Sequence, residues 1–482
     1  MEPLDYDIII VGAGISGIGN AYWLQRKCPG KRIAILEARD AIGGTWSLFN
    51  YPGIRSDSDM FTFGYRFKPW TDPQALSSGA SIRAYIQETV AENDLEQYIR
   101  FRHKMTHADW SEERQGWILD VETERGKIQM STRFLSICTG YYNYKEAYRP
   151  SFPGEETFPG PIIIPQFWPQ DLDYRGKSIA IVGSGATAIT LVPALTERGA
   201  GQVTMVQRSP TYVVSMPNKA RSYEKWQKWM PLRWAYRAAR IKYLLLQLIS
   251  FGFSRMFPRT MKKFFMKMAA QQLPEGYPVD KHFNPTYNPW EQRLCVVPDG
   301  DLFQAIKKDN AAIVTGTIST FMPEGIRMAD GELVTADIIV LATGLNIQLL
   351  GGASISVDGQ PIDPKNSMVY KGMMMSGIPN FMYSFGYTNA SWTLKVDLTA
   401  NYLCKLIRFM DRMDYTSVVP IAPENPDGTE FLNLSSGYIQ RAKAILPKNG
   451  TRRPWRVYQS YPMDMLATRY MGIADKHLKF RR

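Results

Sequence analysis

Residues 7–37 read DIIIVGAGISGIGNAYWLQRKCPGKRIAILE, and the fold follows from this stretch. An apolar run, a glycine-rich turn, a helical segment and a second apolar run predict a βαβ unit. Gly12 makes the tight turn, Gly14 lets the backbone approach a pyrophosphate, and Gly17 lets helix and strand pack closely. The free backbone N–H groups at the start of the helix favour the binding of phosphate groups. Glu37 ends the second strand, where a carboxylate accepts hydrogen bonds from ribose hydroxyls. The complete pattern predicts a dinucleotide site and argues against a purely structural βαβ unit.

A second βαβ pattern occupies residues 177–209, KSIAIVGSGATAITLVPALTERGAGQVTMVQRS. The cofactor-binding residues predicted in its phosphate loop are Gly183, Gly185, Thr187 and Ala188. The second strand ends on Arg208 and Ser209 where the first unit has Glu37, and an arginine suits a 2′-phosphate. The alternative for Arg208 is an ordinary surface arginine. The first site is therefore predicted to bind FAD or NAD and the second NADPH, which indicates a two-nucleotide oxidoreductase.

Size and composition narrow the protein class. A chain of 482 residues suffices for two or three domains with ample core. The four cysteines include no CxxC pair, which argues against a disulfide framework, a zinc site and a dithiol redox centre. The N-terminus shows no secretory signal, and no apolar run reaches the length of a membrane span. These features predict a cytoplasmic protein with no bound metal.

Residues 215–290 interrupt the α/β pattern and predict a mostly helical insert. Residues 215–270 carry thirteen Lys or Arg and one acid, Glu224, with many Trp, Tyr and Phe interleaved. This excess of positive charge equals the net charge of the whole chain, +12. A basic helical surface with aromatic residues suits an anionic membrane, so the protein could be peripheral on the inner face of the membrane. A solvated basic face over a helical core is the alternative. Nucleic acid is not expected, because no groove-reading motif is present.

Further short motifs are typical of nucleotide contacts. Gly44, Thr45 and Trp46 follow a glycine, and such a pair of glycines allows close approach to a flat ligand. Two apolar strands end in Thr-Gly, at Thr139-Gly140 and at Thr343-Gly344. Such strand ends can place backbone beside a bound nucleotide.

The motifs together resemble the class B flavoprotein monooxygenases, in the type I Baeyer–Villiger branch and its ethionamide monooxygenase-like group. The resemblance covers nearly the whole chain. It rests on GAGISG at Gly12, GGTW at Gly43, YPGIRSDSD at Tyr51, GSGATA at Gly183, QRSPTY at Gln207, YNPWEQRL at Tyr287, ATGLN at Ala342 and GYTNASWTLK at Gly386.

The fingerprints and the resemblance predict an α/β fold with two Rossmann-like dinucleotide-binding domains and a helical insert in the NADPH domain. The predicted boundaries are residues 1–145 and 376–482 for the FAD-binding domain, 146–175 for a linker, 176–214 and 291–345 for the NADPH-binding domain, 215–290 for the insert and 346–375 for a second linker.

The resemblance also implies a reaction. NADPH would reduce FAD, dioxygen would add to the reduced flavin, and the resulting flavin peroxide would convert an apolar ketone to an ester or lactone. Members of this group also oxidise sulfur in thioethers and thioamides. Arg293 in the QRL motif would be the catalytic cation that stabilises the anionic peroxide. Asp57 would pair with it and orient it, and Asn389 is expected among the cofactor-binding residues. An interdomain salt bridge without chemical function is the alternative for Arg293 and Asp57.

One position departs from the family pattern. The linker fingerprint F-x-G-x-x-x-H-x-x-x-W-P matches at Phe158, Gly160, Trp168 and Pro169, but Ile164 occupies the histidine position. An isoleucine cannot make the hydrogen bonds of an imidazole. If that histidine couples domain movement to catalysis, slower turnover or leakage of hydrogen peroxide follows.

Two alternative functions therefore stay open, an uncoupled NADPH oxidase and a catalytically degenerate, membrane-associated flavoprotein. A disulfide reductase is disfavoured by the missing dithiol pair. The sequence indicates no oligomeric state.

Overall fold

The computed structural model describes residues 3–292, 294–424, 427–432 and 435–482. The first elements are β1 (Tyr6–Val11), α1 (Ile15–Lys27), β2 (Ile33–Glu37), α2 (Thr45–Leu48), α3 (Met60–Phe63), α4 (Gly79–Glu92), β3 (Ile99–Phe101), β4 (Lys104–Ser111), β5 (Gly116–Thr123) and β6 (Gly126–Ile137).

The middle of the chain holds β7 (Ile162–Ile163), β8 (Ser178–Val182), α5 (Ala186–Glu197), β9 (Gln202–Gln207), β10 (Val213–Met216), α6 (Arg221–Trp229), α7 (Leu232–Met256), α8 (Pro258–Ala270), α9 (Val279–His282), β11 (Cys295–Pro298), α10 (Asp301–Lys307), β12 (Ala311–Thr315), β13 (Ile318–Met322), β14 (Gly325–Met328), β15 (Leu333–Thr335) and β16 (Ile338–Leu341).

The last part contains β17 (Ser354–Val357), β18 (Gln360–Ile362), β19 (Val369–Tyr370), β20 (Met374–Met375), β21 (Phe381–Tyr383), α11 (Trp392–Met413), β22 (Ser417–Pro420), β23 (Gly428–Glu430), α12 (Gly437–Ala442), β24 (Lys448–Gly450), α13 (Tyr461–Met465) and β25 (Leu478–Arg481).

Two sheets organise these elements. The first has the order β18-β17-β4-β5-β6-β1-β2-β3, with β21 also paired to β6. Its centre is parallel, with Ile10 opposite Ile35 in β2 and opposite Ser136 in β6. The second sheet, β12-β9-β8-β16-β7, is parallel throughout. The predicted α/β class with two Rossmann-like units is confirmed.

The central strands are buried because layers cover both of their faces. In β1, residues Ile8, Ile9 and Ile10 are fully buried and alternate between two core clusters on opposite faces of the sheet. A continuous apolar run is what a strand covered on both faces requires. The sequence signal at β1 and β2 was strong for that reason.

Both stretches predicted as linkers contribute strands to the sheets. Residues 162–163 form β7, which pairs with β16 in the second sheet. In the stretch 346–375, β17 pairs in parallel with β4 of the first sheet, and β18 continues that sheet. The pairing partner of β17 lies almost 250 residues earlier in the sequence, as in the pair Ser354–His107. Local composition does not reveal such a distant partner.

Helices α6 to α9 occupy the stretch 215–290. Helices α6 and α7 pack against the first sheet unit, where Tyr223 and Tyr236 are buried in the same cluster as Phe61. Tyr236 Oη donates a hydrogen bond to the carbonyl of Tyr65 at 2.9 Å. Helix α8 instead packs against β10 of the second unit. The helical segment therefore contacts both units. Among the described helices, none is both long and apolar enough to cross a membrane.

Candidate active site

A cavity of about 710 Å³ lies where the carboxyl ends of β1, β2, β6 and β16 come together. Its wall includes the first glycine-rich turn and also Thr187 at the start of α5 in the second βαβ unit. Ligands of open parallel sheets bind in the crevice at the carboxyl ends of the strands. The predicted first nucleotide site therefore lies along this cavity, and the second βαβ unit reaches its wall through Thr187.

The glycines of the first turn serve two different needs. A Cβ on Gly17 would lie 1.9 Å from the carbonyl oxygen of Gly12, and a Cβ on Gly12 would lie 2.7 Å from that of Cys138. Gly12 also has a φ of +104°, which side chains rarely adopt. These two glycines are required by the packing of the protein itself. A Cβ on Gly14 would meet nothing nearer than Gly44 Cα at 3.6 Å, and Gly14 lines the cavity. Gly14 therefore leaves room for a ligand.

Helix α1 begins next to this room. Within the described chain, no side chain caps its first turn. Its N-terminal N–H groups and positive dipole end suit the pyrophosphate of a dinucleotide. The turn and the helix start therefore fit the phosphates of FAD.

Glu37 lines the cavity at the end of β2 and is almost fully buried. One carboxylate oxygen accepts a hydrogen bond from the Ala13 N–H at 2.8 Å, and the other accepts one from the Arg39 N–H at 3.0 Å. Burial raises the pKa of Glu37, and the backbone donors act in the opposite direction. Carboxylate oxygens have further lone pairs, so Glu37 can hold the turn and also accept from ribose hydroxyls. These acceptor oxygens fit the hydroxyl groups of a ribose.

Two tyrosines extend the wall and were not predicted from the sequence. The side chain of Tyr144 is hydrogen-bonded to Thr45, and burial raises its pKa. The side chain of Tyr51 is hydrogen-bonded to Thr187, and burial raises its pKa to about 12. Tyr51 thus joins the first βαβ unit to the phosphate loop of the second. Both contacts join residues far apart in sequence. A tyrosine on its own does not indicate a binding site, so neither residue could be predicted.

Asp57 is half-buried in the cavity wall. Arg55, two residues earlier, forms an ion pair with Asp301 at the start of α10, with Nη2 to Oδ1 at 3.3 Å. This pair fixes the Asp57 segment against the second unit. Arg293 lies outside the described residues, while Cys295 and Val296 line the cavity. The predicted pairing of Asp57 with Arg293 stays a prediction.

The second phosphate loop lies partly at the surface. Gly183 is required by packing, because a Cβ there would lie 2.3 Å from the carbonyl oxygen of Ala342. Gly185 has no atom within 4 Å of such a Cβ. Ser184 Oγ donates to the carbonyl of Ser209 at 3.1 Å, which holds the loop beside Arg208. Arg208 is exposed, so its guanidinium is accessible to a phosphate at this edge.

The predicted residues divide into two groups by position. Those that line the cavity are Gly12, Gly14, Glu37, Gly44, Thr45, Trp46, Asp57, Thr139, Gly140, Thr187 and Gly344. The described residues that do not line it are Gly17, Gly183, Gly185, Ala188, Arg208, Ser209, Thr343 and Asn389. Asn389 Nδ2 donates to the carbonyl of Gln459 at 2.9 Å, and its neighbours Thr388 and Ala390 reach the wall.

The fingerprint segment also borders the cavity. Ile164 lies in the wall at the histidine position, and Gln166 lies beside it with only 5% of its surface exposed. Gln166 Nε2 donates to the carbonyl of Asn143 at 2.8 Å, whereas its Oε1 is buried with no partner among the described residues. Buried amide oxygens are usually hydrogen-bonded, so Gln166 is an unusual polar residue of the cavity wall. Sequence reasoning missed it, although its place two residues after Ile164 was a usable signal.

Aromatic side chains line the part of the cavity next to α1. Trp392 stacks on Tyr141 with ring centroids 5.3 Å apart, and its Nε1 donates to Ser16 Oγ at 2.9 Å. Phe385 packs against both rings. Within the described ranges, no group of His, Cys, Asp and Glu is arranged to hold a metal ion. The site consists of glycine turns, aromatic rings and a few polar groups.

Sequence comparison identifies relatives along the whole chain. The family described as flavin-binding monooxygenase-like matches residues 59–267, and an NAD(P)-binding Rossmann-like domain matches residues 10–71. The chain is 50% identical over 477 residues to the FAD-containing monooxygenase EthA of Mycobacterium tuberculosis, covering 99% of this chain and 98% of EthA. It is 46% identical to the probable FAD-binding monooxygenase AlmA of Acinetobacter baylyi, covering 98% of this chain and 96% of AlmA.

Solved structures share the fold at low sequence identity. Oxidized steroid monooxygenase bound to NADP superimposes with a TM-score of 0.76 at 21% identity, covering 99% of both chains. The open structure of cyclohexanone monooxygenase gives a TM-score of 0.73 at 17% identity, also with 99% of both chains. At such identities the likeness concerns the fold, while the family follows from the closer relatives. The chain therefore belongs to the flavin-binding monooxygenase-like family, in the group of FAD-containing monooxygenases that includes EthA, and the resemblance drawn from its motifs is confirmed.

Proposed function

We propose that this FAD- and NADPH-dependent monooxygenase inserts one oxygen atom of dioxygen into apolar ketones, giving esters or lactones, and also oxidises sulfur. The observation that carries the proposal is the cavity, whose wall contains Gly14 of the first turn and Thr187 at the start of α5 in the second βαβ unit. A hydride donor and a flavin bound at these two loops would face the same space. Oxidation of a third molecule requires such an arrangement.

The apolar wall supports an apolar substrate. Aromatic and aliphatic side chains that line the cavity include Ile54, Phe63, Tyr142, Phe385, Trp392 and Leu432. Such surfaces bind hydrocarbon and exclude water. A ketone or sulfide with an aliphatic chain is the substrate class that fits.

The protein residues have separate proposed roles. Bound FAD supplies the two-electron redox chemistry and the activation of dioxygen. Gly14 and the start of α1 bind its pyrophosphate, and Glu37 orients its ribose. Arg293 provides a fixed positive charge where negative charge develops on the reacting oxygen, and Asp57 orients that arginine.

An uncoupled NADPH oxidase is the second candidate function, and the position of Ile164 favours it. Ile164 borders the cavity at the place where the fingerprint has a histidine, and it offers no hydrogen bond there. The degenerate-flavoprotein alternative is disfavoured by two intact phosphate loops.

Apolar substrates partition into membranes, so a membrane would be a natural reservoir for them. The predicted contact between residues 215–270 and an anionic membrane surface, and the predicted cytoplasmic location, stay predictions. Dioxygen is small and needs no dedicated contact.

Product stoichiometry tests the proposed function. Purified, FAD-loaded protein would receive NADPH, oxygen and a panel of medium- and long-chain ketones with one thioether. Ester or sulfoxide in proportion to the NADPH consumed is the expected result. Hydrogen peroxide equal to the NADPH consumed, without organic product from any panel member, would favour the oxidase. No NADPH oxidation by protein that holds FAD would favour the degenerate flavoprotein.

Replacing Arg208 with alanine is expected to raise KM for NADPH about 10- to 100-fold, the worth of one charged hydrogen-bonded contact. We expect kcat to change little, because the 2′-phosphate is remote from the transferred hydride. Steady-state NADPH oxidation measures both constants. KM for NADH should stay unchanged, since NADH lacks the phosphate.

Arg198→Ala is the matched control. Arg198 is also exposed and lies at the opposite end of α5 from the phosphate loop. Equal effects of both variants, or an unchanged KM for NADPH in Arg208→Ala, would remove Arg208 from the cofactor site.

A further inference from the structure

Helix α7 carries a row of large apolar residues on a side that faces solvent. Exposed large apolar residues recur along it at spacings of seven, four, four, four and three positions, and a helix with this spacing presents them on one face. They are Trp234, Ile241, Leu245, Ile249, Phe253 and Met256. Ile249 is 65% exposed and Met256 is 72% exposed. A surface helix of a globular protein normally shows the opposite pattern.

The buried side of α7 is held by polar contacts, so the helix cannot simply rotate its apolar side inward. Arg240 is buried, and its Nη1 donates to the carbonyls of Phe61 at 2.7 Å and Gly64 at 2.9 Å. Gln247 Nε2 donates to Asp59 at 2.6 Å. Removing these donors from their partners would leave buried polar groups unsatisfied. The exposure of the apolar side is therefore built into the fold.

The apolar surface continues beyond α7. Phe257 between α7 and α8 and Phe264 in the middle of α8 are about half exposed, and Trp229 at the end of α6 is 87% exposed. We call these nine residues on α6, α7 and α8 the apolar stripe. A continuous exposed apolar patch on a folded protein marks an interaction site.

Cationic side chains border the apolar stripe. Arg233, Arg237 and Arg255 are exposed on α7, and Arg259, Lys263 and Lys267 are exposed on α8. The single acidic residue of the region, Glu224, is paired with Lys219 at 3.1 Å. Charge around the apolar stripe is thus of one sign, and it complements an anionic surface.

We propose that the apolar stripe docks on an anionic lipid bilayer, with α7 lying in the plane of the interface. The stripe residues enter the boundary between headgroups and acyl chains, and the flanking arginines and lysines contact lipid phosphates. A second copy of this chain fits less well, because a two-fold interface would place the same cationic border against itself. Nucleic acid would use the charges but gains nothing from exposed Ile, Leu and Met side chains.

The docking orients the enzyme. At 1.5 Å per residue, the 25 residues of α7 span about 37 Å, so the contact involves one whole side of the molecule. The opposite side of α7 contacts α3, and Thr62 of α3 is hydrogen-bonded to Ser391 beside the cavity residue Trp392. The proposal concerns binding alone and does not rest on the proposed reaction.

Vesicle flotation of the holoenzyme tests the docking, with bound protein read from FAD absorbance. Vesicles of phosphatidylglycerol mixed with phosphatidylcholine would be compared with pure phosphatidylcholine vesicles, each at about 0.02 M and about 0.5 M salt. We expect flotation with the anionic vesicles at low salt, and weaker flotation at high salt. The combined variant Leu245→Ser, Ile249→Ser and Met256→Ser should bind at least tenfold less.

Two further variants separate the causes. Ile128→Ser with Ile421→Ser removes exposed apolar residues elsewhere on the surface and should float like the parent protein. Arg237→Glu with Arg255→Glu should abolish the preference for anionic vesicles. Because the substituted side chains are exposed, FAD content and NADPH oxidation should be unchanged.

Three results would overturn the proposal. The first is failure of the parent protein to float with anionic vesicles at low salt. The second is a stripe variant that floats as well as its parent. The third is equal binding of the parent protein to neutral and anionic vesicles. A stripe variant that changes only the oligomeric state in size-exclusion chromatography would identify the stripe as an interface between copies of this chain.

Discussion

Replacing Arg293 with alanine is expected to leave the reduction of bound FAD by NADPH intact and to abolish the oxygenated product. The reason is electrostatic, since a fixed cation stabilises negative charge that develops on the reacting oxygen in a site that excludes water. Loss of one such group costs about 10²- to 10³-fold in rate. Anaerobic stopped-flow absorbance measures flavin reduction, and product analysis under oxygen measures the second half of the reaction.

Arg293→Ala separates flavin reduction from oxygen transfer. Its control must show that removing an arginine elsewhere on the protein leaves both activities unchanged. Arg175→Ala serves this purpose, because Arg175 is highly exposed and pairs only locally with Asp173 at 3.0 Å. NADPH consumed by Arg293→Ala should appear as hydrogen peroxide. Ester or sulfoxide formation at the parent rate would exclude Arg293 from oxygen transfer.

Replacing Gly14 with alanine is expected to weaken FAD binding at least about 100-fold while the protein still folds. The added methyl group would meet the Gly44 backbone, with Cα at 3.6 Å and N at 3.8 Å, and these are ordinary contacts. The free energy of unfolding should therefore change by less than about 1 kcal/mol. The same methyl group would occupy the space through which the backbone approaches the pyrophosphate. The ratio of FAD to protein absorbance after purification measures binding, and circular dichroism of the apoprotein measures folding.

Gly17→Ala is the informative comparison. Its methyl group would lie 1.9 Å from the carbonyl oxygen of Gly12, so this variant should lose the folded βαβ unit as well as FAD. A Gly14→Ala protein with full FAD content would show that the pyrophosphate does not pass this glycine.

Local sequence patterns predicted the parts of the site that local geometry creates. A glycine turn between a buried strand and a helix has one structural solution, so Gly12, Gly14 and Glu37 could be located from spacing alone. The same holds for the strand end at Thr139-Gly140, which also reaches the cavity.

Contacts between distant segments could not be predicted in this way. Tyr51 meets Thr187 only because the two units pack together, and Tyr144 meets Thr45 within the first unit across almost 100 residues of sequence. The stretch 346–375 looked like a linker because β17 has its partner strand far away in sequence. Gln166 gave a polar signal, but its burial depends on the crossing of chain segments near Asn143.

The helical segment, residues 215–270, also has features that the sequence predicts and others that it does not. Charge and aromatic content of residues 215–270 follow from the sequence, and the helices follow from periodicity. The sequence does not show which side of α7 faces the protein, because both sides of the helix carry apolar residues. The polar contacts of Arg240 and Gln247 decide the orientation, and they are visible only in three dimensions.

Oxygen-18 labelling tests the central claim most directly. The FAD-loaded enzyme would convert a ketone or thioether with NADPH under ¹⁸O₂ in unlabelled water, and mass spectrometry would locate the label. We predict one labelled oxygen atom in each ester or sulfoxide formed, because the inserted atom comes from dioxygen. Product without label would contradict the monooxygenase account. Unchanged substrate, with all label recovered in hydrogen peroxide, would contradict oxygen transfer and establish the oxidase instead.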